Sequence, residues 1–533
     1  MRRAFLAAVL SLGGAPGSPA SQESRADSSS IIDSRLADLW TERGRSRAPL
    51  APGDEFLRRL CLDLVGEVPT PEEIREFQAS EQEDKHRRKV DELLRSPWFA
   101  HTWAERMTNF LLGYPRQFDT VTDRNGMTRW LMDRLKNPEA RWDEIVRDLL
   151  TARSEGGTAY RATGFFTQFA EFNEESYGLR IEQVVGRAST AFLGIRLQCA
   201  QCHDHPSDRW TQEDFTGVAA FFAKTGFDRD MTSGLSLTDL ARPQKVRFDG
   251  MQGEMKPRFL DGGEPAVDNW RADFARRLVA HPQFARAFVN RAWAWLFGKG
   301  FVDPLDDMHE GRRPVDPVLL DLLARDFTRH QFNIRHLIRS ICNSDAYALT
   351  SRRTEGDDPM AEAMFARARV RPMTPEQLFQ SISRATDLLE SHQDDDAILD
   401  LLGGQNETGE EKKYYVVRRW FIDMLVKTSD EAAITNFSAY TANIQQVLYA
   451  LNQELPLFAG AKAKTGGRLQ RLLHNPDDGE IVTELFLATV SRVPTPRERA
   501  RCLEHVSRAG GREKGFEELF WSLLNMDEFI FNH

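Results

Sequence analysis

The sequence predicts a mainly α-helical, multi-helical fold: two helical domains joined by a small β-hairpin and Gly-rich connector. Three observations carry that prediction. Apolar residues recur three and four apart over most of the chain, the spacing of one buried helical face. Three Thr-Pro pairs are each followed by Glu or Gln at the distance that starts a helix. Strand-like alternation is scarce, its clearest instance being QKVRFDGMQGEMKPRFL (244–260), where Asp249-Gly250 has hairpin-turn chemistry.

In chain order, the first element is a leader over residues 1–20. Arg2 and Arg3 form a positive start, residues 4–12 a short apolar run, and Ser18-Pro19-Ala20 a small-residue cut site, the pattern of a cleaved export signal. The expectation is an exported, periplasmic or extracellular protein with no membrane span after cleavage. Residues 21–50 read as an exposed N-terminal segment, and 51–224 as the first helical domain. The Gly-rich stretch 225–267 is the connector, and 268–533 the second helical domain, interrupted near 391–413 and 459–467.

Within these domains the stretches 87–113, 141–152, 284–297 and 317–342 have helical periodicity. Thr70, Thr374 and Thr495 stand at N-caps, with Pro71, Pro375 and Pro496 at the first helical position and Glu73, Gln377 and Glu498 at the third. Each threonine hydroxyl can accept from the third amide while that residue's side chain reaches back to the cap. LCLDLVGEVPTPEE (60–73) and LFLATVSRVPTPRE (485–498) also match at Leu60/Leu485, Leu62/Leu487, Val65/Val490 and Val68/Val493. They read either as a degenerate repeat or as a common helix-loop-helix unit that recurs by chance.

Composition narrows the function classes. With 41 % hydrophobic and 28 % charged residues, 34 Phe and 11 Trp, the chain is globular rather than disordered. A formal charge of −10 and no local basic patch argue against a nucleic-acid partner. Five cysteines in 533 residues are too few for a disulfide framework. Cys61, Cys342 and Cys502 sit alone among apolar neighbours and read as small buried hydrophobes. No G-x-S-x-G, H-E-x-x-H or G-x-G-x-x-G occurs, and GAKAKTG (460–466) lacks the second glycine of a phosphate loop.

Chemistry concentrates in LQCAQCHDHPSDRW (197–210). C-x-x-C-H is the spacing at which two thiols join the edge of a haem and the adjacent imidazole ligates its iron, which assigns Cys199, Cys202 and His203 to haem c. The same stretch supplies sulfur, nitrogen and oxygen donors for a non-haem zinc or iron site at Cys199, Cys202, His205 and Asp208. A Cys199–Cys202 disulfide is the third reading. No spacing selects a sixth iron ligand among Met231, Met251, Met255, Met308 and His309.

Other suggestive residues have plainer readings. Asp303, Asp306, Asp307, His309 and Glu310 read as a solvated loop between helices, with metal or acid/base work as the alternative. Trp293, Trp295 and Phe297 read as helix packing rather than a sugar platform, since residues two apart do not share a helical face. The run 394–396 reads as a solvated acidic loop.

FLGIRLQCAQCHDHPSDRWTQEDFTGVAAFF (192–222) and EFLRRLCLDLVGEVPTPEEIREF (55–77) resemble the planctomycete cytochrome-c-like domain of unknown function. The stretches 281–307, 335–351, 371–382 and 520–533 resemble the companion domain that commonly follows it, so the resemblance covers nearly all of the chain after the leader. It implies export, a C-x-x-C-H site without an established reaction, and neighbouring sulfatase-like genes. That context links the family to the breakdown of complex extracellular polysaccharides. The expected role is electron transfer through one haem c with an unidentified redox partner or exported enzyme. The alternatives are a non-haem metalloprotein and a structural or binding protein. The chain lacks the separate cytochrome module of longer relatives, so a single haem is expected. His205-Pro206-Ser207-Asp208 stands where small cytochromes often carry Gly-Pro, so the resemblance does not imply their fold.

Overall fold

The computed structural model describes residues 28–114, 122–154, 161–173, 176–230, 234–244, 256–353, 358–387, 409–427, 461–464 and 466–533. The leader, the Asp249-Gly250 turn, Met231, Met251, Met255 and the acidic run 394–396 lie outside the described residues. Helix dominates the rest. No described helix is long and apolar enough to cross a membrane.

The first helices are α1 (Ser28–Glu42), α2 (Gly53–Leu64), α3 (Pro71–Ala79), α4 (Lys85–Arg95), α5 (Pro97–Leu112), α6 (Arg124–Lys136), α7 (Trp142–Thr151), the short α8 (Gly164–Thr167), α9 (Ile181–Leu193) and α10 (Gln212–Ala220). The strands are few and antiparallel: β1 (Ala170–Asn173) with β2 (Ser176–Leu179), and β3 (Thr225–Asp230) with β4 (Gly234–Asp239). The described hairpin of the connector is thus β3–β4, just before the stretch whose turn chemistry suggested one. After it come α11 (Trp270–Ala280), α12 (Pro282–Phe297), α13 (Pro317–Arg329), α14 (Ile334–Cys342) and α15 (Pro375–Thr386). Further helices span Gly409–Lys427, Arg468–Leu472, Asp478–Val490, Pro496–Arg508, Arg512–Leu524 and Asp527–Ile530. The C-terminal strand β6 (Phe531–Asn532) returns to pair with β5 (Arg371–Pro372).

All three Thr-Pro boxes form as reciprocal caps, at Thr70/Glu73, Thr374/Gln377 and Thr495/Glu498. The echo between 60–73 and 485–498 extends to the backbone. Gly66 and Ser491, equivalent in the alignment, both take a left-handed conformation, with φ of 80° and 62°. Leu62, Val68, Leu485 and Val490 meet in one hydrophobic cluster.

Two stretches with unbroken helical periodicity are broken in the structure. Residues 87–113 divide at Ser96-Pro97, where the serine caps α5 and the proline opens it, because proline has no amide to continue α4. Residues 317–342 divide into α13 and α14 around Gln331 and Phe332, two consecutive non-glycine residues at φ 53° and 58°. Phe332 is held there by packing against Phe284 and Phe327, ring centroids 5.5 and 5.4 Å away.

Residues 21–50, expected to form an exposed segment, instead include α1, whose Ile32, Leu36, Leu39 and Trp40 are buried. They belong to the larger of two core clusters, which runs from Ile32 to Ala366 across the connector and takes in Leu487. The smaller cluster is built mainly from 373–530. Asp63, buried on α2, ties the two regions together: Tyr347 Oη donates to it at 2.7 Å, Asn532 Nδ2 at 2.9 Å, and Arg371 forms an ion pair with it. Trp293 stacks on Phe297 with centroids 4.3 Å apart, while Trp295 faces Trp103, so these aromatics serve helix packing. Cys61 and Cys342 are buried, and Cys502 is half-buried.

Candidate functional site

Helix α9 stops at Gly194, whose φ of 68° only a residue without Cβ adopts freely. The chain then forms a 3-10 turn over Leu197–Ala200. Leu197 and Ala200 are buried and fasten the turn, whereas Cys199, Cys202 and His203 point outward and are exposed. Gly186 on α9 lets the turn approach closely, since a Cβ there would come 2.5 Å from Gln198 Oε1.

The excursion closes onto α10. His205 N–H donates to Trp210 O at 2.8 Å, Gln212 N–H to Asp204 Oδ1 at 2.9 Å, and Gln212 Nε2 to Gln201 O at 3.1 Å. Trp210 is buried, and Thr211 with Asp214 forms a fourth capping box that opens α10. The exposed C-x-x-C-H therefore stands on a scaffold fixed at both ends.

The two histidines differ in their hydrogen bonds. His203 Nδ1 lies 2.7 Å from Asp204 O; a carbonyl only accepts, so Nδ1 carries the proton and the lone pair of the neutral ring is on Nε2. His205 Nδ1 accepts from Ser207 N–H at 3.2 Å, which occupies its lone pair. Asp208 Oδ1 accepts from Arg209 N–H at 2.8 Å. Cys199 and Cys202 are both free thiols.

The donor set suits covalent haem c attachment: two accessible thiols in C-x-x-C order, and an imidazole whose Nδ1–H is fixed by a backbone carbonyl, the arrangement that orients a metal-bound histidine. For the non-haem set Cys199, Cys202, His205 and Asp208, no three ligand atoms lie within 4.8 Å of one another among the described residues.

Two residues considered for the sixth iron position come close to this segment. Met308 and His309 line a cleft of about 300 Å3 together with Ile195, Asp208, Arg209 and Trp210. Met308 is buried, its N–H donates to Gly194 O at 2.7 Å, and its Sδ would lie 2.7 Å from a Cβ at position 194. In the acidic stretch 303–310, expected to be solvated, Asp303 and Glu310 are exposed while the middle is docked here. Asp307 is buried and pairs with Arg312 at 2.8 Å, and Asp306 lies 3.3 Å from Arg196.

One cluster escaped the sequence reading. Asp326, His330 and His336 bring ligand atoms within 4.8 Å of one another. Asp326 and His330 are four apart at the end of α13, and His336 is in the first turn of α14. The D-x-x-x-H spacing was present as a signal, but helical periodicity through 317–342 concealed the reversal that adds His336.

Residues 31–226 match the family PSCyt2, described as protein of unknown function (DUF1549). Residues 270–506 match the family PSD1, described as protein of unknown function (DUF1553). Neither a curated protein nor a solved structure matches the chain. The chain thus belongs to the proteins of unknown function in which a PSCyt2 domain is followed by a PSD1 domain.

Proposed function

We propose that this protein is exported to the periplasm or beyond, binds one haem c through thioethers at Cys199 and Cys202 with His203 as the iron ligand, and passes electrons to or from a partner protein. The observation that carries this reading is the hydrogen bond from His203 Nδ1–H to Asp204 O. It leaves Nε2 unprotonated beside two exposed thiols, the tautomer that an iron ligand requires. When bound, the haem would supply a one-electron redox couple.

The chain's own groups have separate tasks. Asp204 uses its backbone carbonyl to orient His203 and its carboxylate to fasten the loop to Gln212. Exposure of Cys199 and Cys202 keeps both thiols open to attachment. The buried Leu197, Ala200 and Trp210 hold the excursion rigidly enough to present them.

Intact-mass measurement of protein made in a host with haem c maturation tests the reading. The expected mass exceeds that of the mature polypeptide by one haem, and the Cys199→Ala/Cys202→Ala double variant loses the covalent increment. An unmodified polypeptide mass in wild-type protein from that host contradicts it. The same spectrum locates the N-terminus, with export predicting cleavage after about Ala20.

A further inference from the structure

The end of α13 and the start of α14 bring together a second constellation, separate from Cys199, Cys202 and His203. Asp326 Oδ2 lies 2.8 Å from His336 Nε2, and Asp326 Oδ1 lies 3.3 Å from His330 Nδ1. Four-coordinate zinc, with nitrogen and oxygen ligands at about 2.0–2.1 Å, sets neighbouring donors roughly 3.3 Å apart. Both imidazoles thus reach the carboxylate at near that spacing, each against a different oxygen, and all three ligand atoms lie within 4.8 Å of one another.

Access and support are also in place. Side-chain exposure rises from 10 % at Asp326 through 26 % at His336 to 41 % at His330, so the carboxylate anchors the cluster from inside and His330 meets solvent. Ser28 Oγ donates to Asp326 Oδ2 at 2.9 Å, the type of outer hydrogen bond that orients a metal-binding carboxylate. The left-handed pair Gln331 and Phe332 reverses the chain and returns His336 over His330. The rings stack with centroids 3.7 Å apart and planes 20° apart, and His330 Nδ1 lies 3.0 Å from Asp326 O, a carbonyl that only accepts, so ligation requires the more exposed His330 ring to leave that bond and turn a lone pair toward the ion.

We infer that Asp326, His330 and His336 form a binding site for a divalent transition-metal ion, zinc foremost, with one position open to water or a further ligand. Imidazole with carboxylate favours zinc, ferrous iron and their neighbours over calcium or magnesium, which prefer oxygen alone. Because Ser28 opens α1 and the other residues lie on α13 and α14, the ion would fasten the N-terminal helix to the second domain.

Calorimetric titration of the full-length protein with zinc chloride tests this inference, both in the wild type and in a Cys199→Ser/Cys202→Ser background that removes competing thiolates. One zinc is expected to bind in the double-serine background, and at least one in the wild type. His330→Ala, which removes a partly exposed ring, and His336→Gln should each weaken binding by about tenfold or more, and Ser28→Ala by about tenfold. A site that serves only as a hydrogen-bond network would bind no zinc in the double-serine background, or bind it equally well in His330→Ala and His336→Gln; either result overturns the proposal. The haem reading stands or falls separately, since it uses none of these residues.

Discussion

At Asp204, one backbone carbonyl separates two neighbouring histidines into different chemical roles. His203 donates Nδ1–H to it and leaves Nε2 with the lone pair that the proposed iron ligation uses, whereas His205 uses Nδ1 to accept from Ser207. His203→Ala should therefore alter the axial ligation and potential of attached haem, while His205→Ala should leave the visible spectrum unchanged; equal spectral changes in both would contradict the assignment. C-x-x-C-H was legible from residue order, but this division was not, because it depends on local turns rather than on residue types. Glu67 makes a residue-scale prediction about stability. Burial pushes its carboxyl up to about 7, against the pull of Arg384 2.8 Å away. The folded chain keeps this proton to about pH 7 while the unfolded chain releases it near 4.5. Native protein consequently binds more protons across that window, and stability contributed by this group falls as pH rises through it. Relative to wild type, Glu67→Gln should gain roughly 2–3 kcal/mol between pH 5 and pH 8. Denaturant titrations at the two pH values read the difference, and a pH-independent difference would contradict the burial argument.

Among the elements, helix starts were the most legible feature, because a capping box is complete within four residues. Thr70→Ala and Thr495→Ala should each cost about 1 kcal/mol, measured by chemical denaturation. Helix ends were less legible where packing rather than glycine forces the reversal. Gln331 and Phe332 carry no local sign of their left-handed conformation, which comes from the fit of Phe332 between Phe284 and Phe327. Gly194 is the opposite case, with a positive φ and a crowded site in one residue. Its substitution by alanine incurs about 1–2 kcal/mol for the left-handed backbone, and the new methyl also meets Met308. Gly194→Ala should therefore destabilise the protein by about 2 kcal/mol or more, and by displacing Met308 it should disturb the cleft beside the C-x-x-C-H segment. A stability loss below about 1 kcal/mol would mean that the α9 terminus relaxes without consequence.

Across the whole molecule, the distant contacts were the least visible in sequence. Ser28 meets Asp326 and Asp63 meets Asn532, pairs that no periodicity or local motif connects. Helix α1 is thus part of the main core, although its neighbourhood reads as an exposed segment. Asp63→Ala would leave Arg371 without its carboxylate and strip Tyr347 and Asn532 of their acceptor. A loss of about 3–5 kcal/mol is expected, the scale for breaking one side of a buried ion pair, and a loss below about 1 kcal/mol would contradict its tying role. The scaffold matters to the proposed function because it holds an exposed C-x-x-C-H at one place between α9 and α10. The most direct measurement of that claim is a reduced pyridine haemochrome spectrum of denatured protein from a haem c maturing host, with iron measured on the same sample. Attachment at Cys199 and Cys202 predicts a c-type band and about one iron per chain, both lost in the Cys199→Ala/Cys202→Ala protein after extraction of non-covalent haem. Absence of that band from wild-type protein would contradict the haem assignment.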